Sequence, residues 1–565
     1  MRQSEPSAAR MHVIDPESAK LNSEQERLLR QFENDHLDPF HTTLPLWQRE
    51  QEKSIFGLLG AYDSLAIFLA TMPRPEGVHE KQQWKHYDDG LMYGLRWLLQ
   101  KTSDQLRVLP IADKTLFNEA GYFLLHGADY SIVADMHISL GRGLVDAVVD
   151  GDTKLVSFLP IEHHSPMSNV FLDSFQGENA KLDLMLSQLR GQAPSRGTIL
   201  RMPHSLESGR IVFCDIGFNF GKDAKSIHDK IVDLSYTEFE QSVDLGSFSV
   251  ADLMTFWKGL FHWSGCAGLL FVKYVKDGCA QSDCLPTQEV ARDVFVDSIA
   301  RLSGLSAETV GRITARLTID PRNQKSDIFL TPLINCGDRI CWSPLVVQKN
   351  NPIRNMLKSM ARTPALKAIA DNAIASREGP LLASFAKLLR GAGYQCEIDR
   401  ELPEGQGQID LIAWRKGVAS EVLVVEAKAL LDVDEINEVN AATLELLHAQ
   451  EQLERVNTVL RATSVEMKRQ LFRSFKWNNV HDYVPLVLTP ETDPHSMYDH
   501  SKIPAISMES FSRNIGPSDM RSPRHIWNAC RKRSWLNDAR SKRLDHYTIK
   551  IGEISYSIPI GIVEE

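Results

Sequence analysis

The chain has 565 residues, 43% hydrophobic and 24% charged, which excludes a single small core and fits about two to four domains of ordinary globular composition. Eight cysteines are too sparse for a disulfide-stapled secreted protein, no run reaches the roughly 18 apolar residues of a membrane helix, and the N-terminus lacks the apolar stretch of a secretory signal, so the expectation is a cytoplasmic protein without a membrane span. A net charge of -10 argues against indiscriminate coating of nucleic acid, yet it leaves room for an enzyme that gathers positive charge on one face.

In chain order, NSEQERLLRQFENDH at 22–36 predicts a helix capped by Asn22 or Ser23, and with the arm before it occupies residues 1–45. Further amphipathic helices are expected at 54–71 and 88–102. From about 128 to 220 the texture is that of strands, with one hairpin turning at Asp150-Gly151 and a second at Ser208-Gly209. Helical spacing returns at 247–276 and 287–317, and two strands flank Gly337-Asp338. Residues 46–350 thus read as one or more α+β domains, suited to recognition, regulation, or contact with a partner protein or a second copy. A basic helical stretch at 352–376, broken at Pro364, marks a boundary.

Beyond 365 the order becomes regular. A helix at 366–390 ends at Gly391 and Gly393, strands follow at 394–399, 408–415 and 421–429, then a long helix at 434–462 and strands at 483–490 and 503–507. The fold class is mixed α/β. In the third strand, Val422 to Val425 form a run suited to burial on both faces, yet it closes with Glu426 and Lys428 on one face, because strand side chains alternate. Asp410 interrupts a similar run on the preceding strand. Buried carboxylates are costly unless they pair, bind a cation or do chemistry, and two of them beside a lysine suit a hard divalent ion. The plainer account is that these are solvated strand ends, and that Glu378 forms a surface ion pair with Arg377.

The spacing of Asp410, Glu426 and Lys428, together with the order helix, three strands, helix, strand, resembles the PD-(D/E)XK nuclease superfamily over residues 365–510, with Ile409 where the name-giving proline stands. The resemblance implies a restriction-endonuclease-like αβββαβ core that hydrolyses phosphodiester bonds with Mg²⁺, for which Mn²⁺ can substitute. It implies Asp410, Glu426 and Glu378 as metal ligands, Lys428 as the residue that orients water or stabilises developing charge, and Gln452, with Gln450 second, from the following helix. It also implies DNA as substrate, in restriction or defence, or in repair. Two alternatives remain open: an inactive nuclease fold serving as a nucleic-acid-binding scaffold, and a nuclease directed at RNA.

After the core, residues 511–565 read as a basic extension. Arg531, Lys532, Arg533, Lys542 and Arg543, with Trp527 and Trp535 interleaved, are candidates for contact with nucleic acid; the other account is a solvated basic helix whose tryptophans dock on the core. A second basic cluster, Arg354, Lys358, Arg362 and Lys367, precedes the core. GFNFGKDA at 217–224 is one residue short of a phosphate-binding loop and has Asp223 where a hydroxyl belongs, so it reads as a strand-to-helix turn. Cys279, Cys284, Cys336 and Cys341 lack the two-residue spacing of zinc knuckles and read as core thiols, and His163-His164 as loop residues.

Overall fold

The computed structural model describes residues 23–71, 80–101, 113–141, 145–160, 204–207, 210–213, 222–235, 239–280, 284–319, 327–402, 407–415, 420–431, 433, 436–471, 480, 482–490, 502–533 and 543–562. Their elements show a mixed α/β protein in two units. One unit draws on Met1–Phe40, Ile132–Ser165 and Ser541–Glu565, the other on His41–Ser131 and Pro166–Arg540.

Upstream of residue 365 the main elements are α1 (Ser23–Phe32), α2 (Gln51–Thr71), α3 (Glu80–Gln100), α4 (Lys114–Gly141), β1 (Val145–Asp150), β2 (Leu155–Pro160), β3 (His204–Glu207), β4 (Arg210–Phe213), α5 (Lys222–Ser235) and α6 (Val250–Lys276). Then come β5 (Gln288–Ala291), α7 (Arg292–Ser303), α8 (Ala307–Arg316), β6 (Thr318–Ile319), β7 (Leu333–Cys336), β8 (Arg339–Trp342), α9 (Pro344–Lys349) and α10 (Pro352–Ala361). Strand texture is expected from about residue 128, but α4 runs from Lys114 to Gly141; its first half buries Leu116, Ala120, Phe123, Leu124 and Ala128 at the three- and four-residue spacing of one helical face. Close approach of α3 and α4 needs glycine: a Cβ at Gly90 would stand 2.3 Å from the Leu124 carbonyl oxygen.

The long helix α6 organises the upstream core. Ser249 and Asp252 open it as a reciprocal cap, and Leu253, Phe256, Trp257, Leu260 and Trp263 pack with Phe295 of α7, Val310 and Ile313 of α8, and Trp342 of β8. The helix expected at 287–317 is instead a strand and two helices: Val290 pairs with Ile340, and Gly304, at φ 78°, ends α7 in the left-handed conformation. The second expected hairpin forms as β3 paired with β4, with its Ser208-Gly209 turn outside the described residues. His163-His164 and residues 217–221 also lie outside them.

Two helices, α11 (Lys367–Ala375) and α12 (Glu378–Gly391), replace the single helix expected at 366–390, with the break at Ser376-Arg377. The core continues with β9 (Tyr394–Glu401), β10 (Gln408–Arg415), β11 (Glu421–Ala427), α13 (Ile436–Ala462), β12 (Asp482–Thr489), β13 (Ala505–Ser507), α14 (Met508–Asn514) and α15 (Pro523–Lys532). The sheet order is β13-β12-β11-β10-β9, antiparallel from β9 to β11 and parallel from β11 to β13. Leu423, Val425 and Ala427 point to one face, where Phe385 of α12, Phe511 of α14 and Ile526 of α15 cover them. Val422 and Val424 point to the other, beneath Leu446, Leu453 and Leu460 of α13. Each such buried side chain contributes about 1.5–3 kcal/mol, which is why β11 can be apolar on both sides.

The stretch at 511–565, expected to be one basic extension, is divided. Its first part supplies α14 and α15 to the core, since Phe511, Ile515, Ile526 and Cys530 are buried there. Its last part forms the hairpin β14 (Arg543–Ile551) and β15 (Ile554–Ile562), and β15 runs parallel to β2 in a sheet ordered β1-β2-β15-β14. Gly552, at φ 61°, makes the turn.

Candidate active site

The antiparallel register that sets Leu411 opposite Val425 carries Asp410 to the level of Glu426. Glu426 continues the face of Val422 and Val424, the α13 side of the sheet. Asp410 Oδ2 accepts the Ala427 amide at 2.8 Å. Just past the strand, Lys428 Nζ donates to Glu426 Oε1 at 2.9 Å. Glu378 is the first residue of α12, and its Oε1 accepts the Ala429 amide at 3.4 Å. Asp410, Glu426, Lys428 and Glu378 are thus gathered at one corner, where β11 ends.

The electrostatics of that corner favour a cation. Burial pushes the Asp410 carboxyl up to about 7, the charge of Glu426 adds to the push and Glu378 adds a smaller one, while the Ala427 amide and Lys428 oppose them. Glu426, 6% exposed, is also raised by burial, against the opposing hydrogen bond and charge of Lys428. Crowded carboxylate oxygens are hard donors, and their chemistry fits Mg²⁺ or Mn²⁺. In the arrangement observed, Glu426 is turned onto Lys428, and among the described residues no group of three or more His, Cys, Asp or Glu is arranged to hold a metal ion.

The two glutamines of α13 differ in place. Gln450 is buried on the stripe that faces the sheet, with Leu446, Ala449 and Leu453, and donates to Glu454 at 3.3 Å. Gln452 lies to the side of that stripe. Neither Oε1 has a hydrogen-bond partner among the described residues. His448, one turn before Gln452, is near enough for its charge to act on Glu426.

The basic candidates separate. Arg531 and Lys532 are exposed at the end of α15. Arg533 is 2% exposed, takes the left-handed conformation at φ 44° and donates to the carbonyls of Ala505 and Cys530, so its guanidinium ties α15 to β13. Arg543 opens β14 in the other unit, and Lys542 and Trp535 lie outside the described residues. Trp527 is docked on the core, with Arg524 and Arg531 at 5.1 and 5.2 Å from its ring centre.

Arg377 is the residue that sequence reasoning missed. In place of the surface ion pair with Glu378, it is 4% exposed and donates to the Leu430 carbonyl at 3.1 Å. A signal was present in Gly379-Pro380, since a proline in the first turn of a helix marks a start at Glu378 and hence a break just before it. No family model, curated protein or solved structure matches the chain.

Proposed function

We propose that residues 365–510 are a Mg²⁺-dependent nuclease core of the PD-(D/E)XK kind, cutting phosphodiester bonds in DNA. The observation that carries this reading is the meeting of Asp410, Glu426 and Lys428 at the end of a buried antiparallel strand pair, with Glu378 bonded to the next turn of backbone. Asp410 and Glu426 would hold the ion, with Glu378 adding an oxygen directly or through water. When bound, the ion supplies polarisation of the scissile phosphate and a lowered pKa for the attacking water. Lys428, released from Glu426, donates Nζ to the water or to the phosphate oxygens as charge builds on them. Arg531 and Lys532 offer exposed charge for the backbone of the substrate. The preference for DNA comes from the resembled family, and a role in defence or repair is part of the same analogy.

The test is cleavage of plasmid, linear duplex, single-stranded DNA and RNA, each with Mg²⁺, Mn²⁺ or EDTA, by the wild type beside Asp410→Ala and Lys428→Ala. Metal-dependent cutting lost in both variants supports the reading, and the substrate that is cut decides between DNA and RNA. Cutting that persists equally in both variants sinks it.

A second reading is a nucleic-acid-binding scaffold with an inactive nuclease fold. The ion pair between Lys428 and Glu426 favours it, because a lysine that neutralises a carboxylate competes with a metal. Titration with Mn²⁺ separates the two: a scaffold binds nucleic acid with no metal site lost in Asp410→Ala.

A further inference from the structure

After β11 the chain passes from Lys428 to α13, which opens at Ile436, and residues from outside hold its first part. Arg377 Nη1 donates to the Leu430 carbonyl at 3.1 Å, and the same guanidinium stands 4.6 Å from the ring centre of Phe239. Phe239 belongs to the upstream core built on α6, against which Leu431 also packs. At the far end, Glu438 in the first turn of α13 accepts from Lys358 at 2.7 Å and from Arg362 at 3.3 Å; Lys358 lies in α10 and Arg362 just after it. A guanidinium with 4% exposure is costly to bury, and here its donors and flat face are engaged on both sides. On one side it grips the backbone two residues beyond Lys428. On the other it is peptide-bonded to Glu378, whose carboxylate accepts the Ala429 amide.

We propose that Arg377 is a positioning residue: by bridging Phe239 to the Leu430 carbonyl it sets Glu378 and Lys428 in register with Asp410 and Glu426, and so ties the upstream core to the candidate site. Its effect on cutting rests on the nuclease reading; the bridge itself does not. Ala429 and Leu430 alternate between the two gripping residues, so loosening one end of the bridge frees the backbone that carries Lys428. Phe239 lies outside the four-residue site, which makes it the cleaner probe. Because Phe239 also packs in the upstream core, unchanged protection of α6 and α8 in Phe239→Leu is what separates loss of the bridge from loss of core packing.

The experiment uses the full chain as Arg377→Gln, Phe239→Leu and the double variant. It reads hydrogen exchange at the amides of residues 428–431, kcat and KM on a DNA duplex, and the Mn²⁺ concentration that half-saturates cutting. In Arg377→Gln, exchange at 428–431 is expected to rise about tenfold while α6 and α8 keep their protection. With it, kcat falls about tenfold or more at nearly constant KM, and half-saturation by Mn²⁺ moves to higher concentration. Phe239→Leu shifts all three in the same direction by less, and the double variant is no worse than Arg377→Gln, because both changes remove one bridge. Unchanged exchange at 428–431 overturns the proposal whatever the activity, and so does raised exchange with unchanged kcat. If Arg377→Gln does not fold, Phe239→Leu decides by the same readings. A wild type that cuts nothing removes the nuclease reading instead; exchange and the binding of Mn²⁺ alone then still decide whether the bridge orders the site.

Discussion

Two aspartates, the buried Asp63 in α2 and the half-buried Asp410 in β10, are both pushed up to about 7 by desolvation, and their surroundings differ. Asp63 is enclosed by donors: the hydroxyls of Thr287 and Ser343 and the Leu345 amide all point at it, the first at 2.7 Å and the last at 3.2 Å. Ser343 also caps α9, so this carboxylate pins α2, the start of β5 and α9 together. Asp410 has the Ala427 amide and the charge of Lys428 on its side, and two further carboxylates acting against it. A raised acid is therefore no mark of a site. The mark is the sign of its neighbours: donors that close the bonding of one carboxylate make a joint, whereas like charges make a place that a cation completes.

The largest effect expected from that contrast is on activity. Asp410→Ala and Lys428→Ala should each lower cleavage at least about a thousandfold, roughly 4 kcal/mol of barrier, with thermal unfolding little changed. Gel assays beside melting curves check this, and a variant that melts early while its folded fraction still cuts would make Asp410 another joint. Asp63→Ala should do the converse. Leaving three buried donors unmatched costs about 2–4 kcal/mol in denaturant unfolding, while kcat per folded molecule stays the same.

The pH dependence sharpens the comparison. Both acids hold protons in the folded protein up to about 7, above the 3.8 of an ordinary aspartate, so the folded state keeps protons that the unfolded chain has released. Their contribution to stability without metal is thus present at low pH and falls as pH rises from about 4 to about 7. Metal binding needs the ionised form of Asp410 and runs the other way. Melting from about pH 5 to 8 should show stabilisation by Mg²⁺ that grows with pH, disappears in Asp410→Asn and persists in Asp63→Asn. Equal stabilisation at both ends of that range would remove Asp410 from the ligand set.

The smallest effects concern the basic surface. Arg531→Ala and Lys532→Ala should each lower the salt slope of DNA binding by about one and weaken binding alike for all sequences. Arg533→Ala should instead lower stability, since its guanidinium is buried against Ala505. Fluorescence anisotropy across a salt series and urea melts separate the two. A change of slope in Arg533→Ala would put that guanidinium on the surface.

How much was legible follows the range of the interactions. The second core strand is expected at 408–415 and runs from Gln408 to Arg415, because alternation and the apolar run are local properties of those residues. Asp410 and Glu426 could be placed near each other for the same reason: adjacent strands, short turns and a period of two leave little freedom. The approach of Glu378 to Ala429 spans 51 positions and that of Arg377 to Leu430 spans 53, so no window of sequence holds both ends. The hairpin of β14 and β15 does have a local signal, the alternation in HYTIKIGEISYSI around Gly552. The density of arginine and lysine just before it drew the expectation to a solvated extension.

The pairing of β15 with β2 joins Ser555 to Leu155, across about 400 positions, and this has a consequence for synthesis. When β1 and β2 leave the ribosome, the side of β2 that β15 will occupy is an open strand edge. At about 5–20 residues per second, that edge waits some 20–80 s for its partner to be translated. Open edges recruit other strands. Nascent chains stalled before residue 543 are therefore expected to crosslink to chaperones or to one another through residues 155–160, and chains carried past residue 562 are expected to lose those crosslinks as the sheet closes.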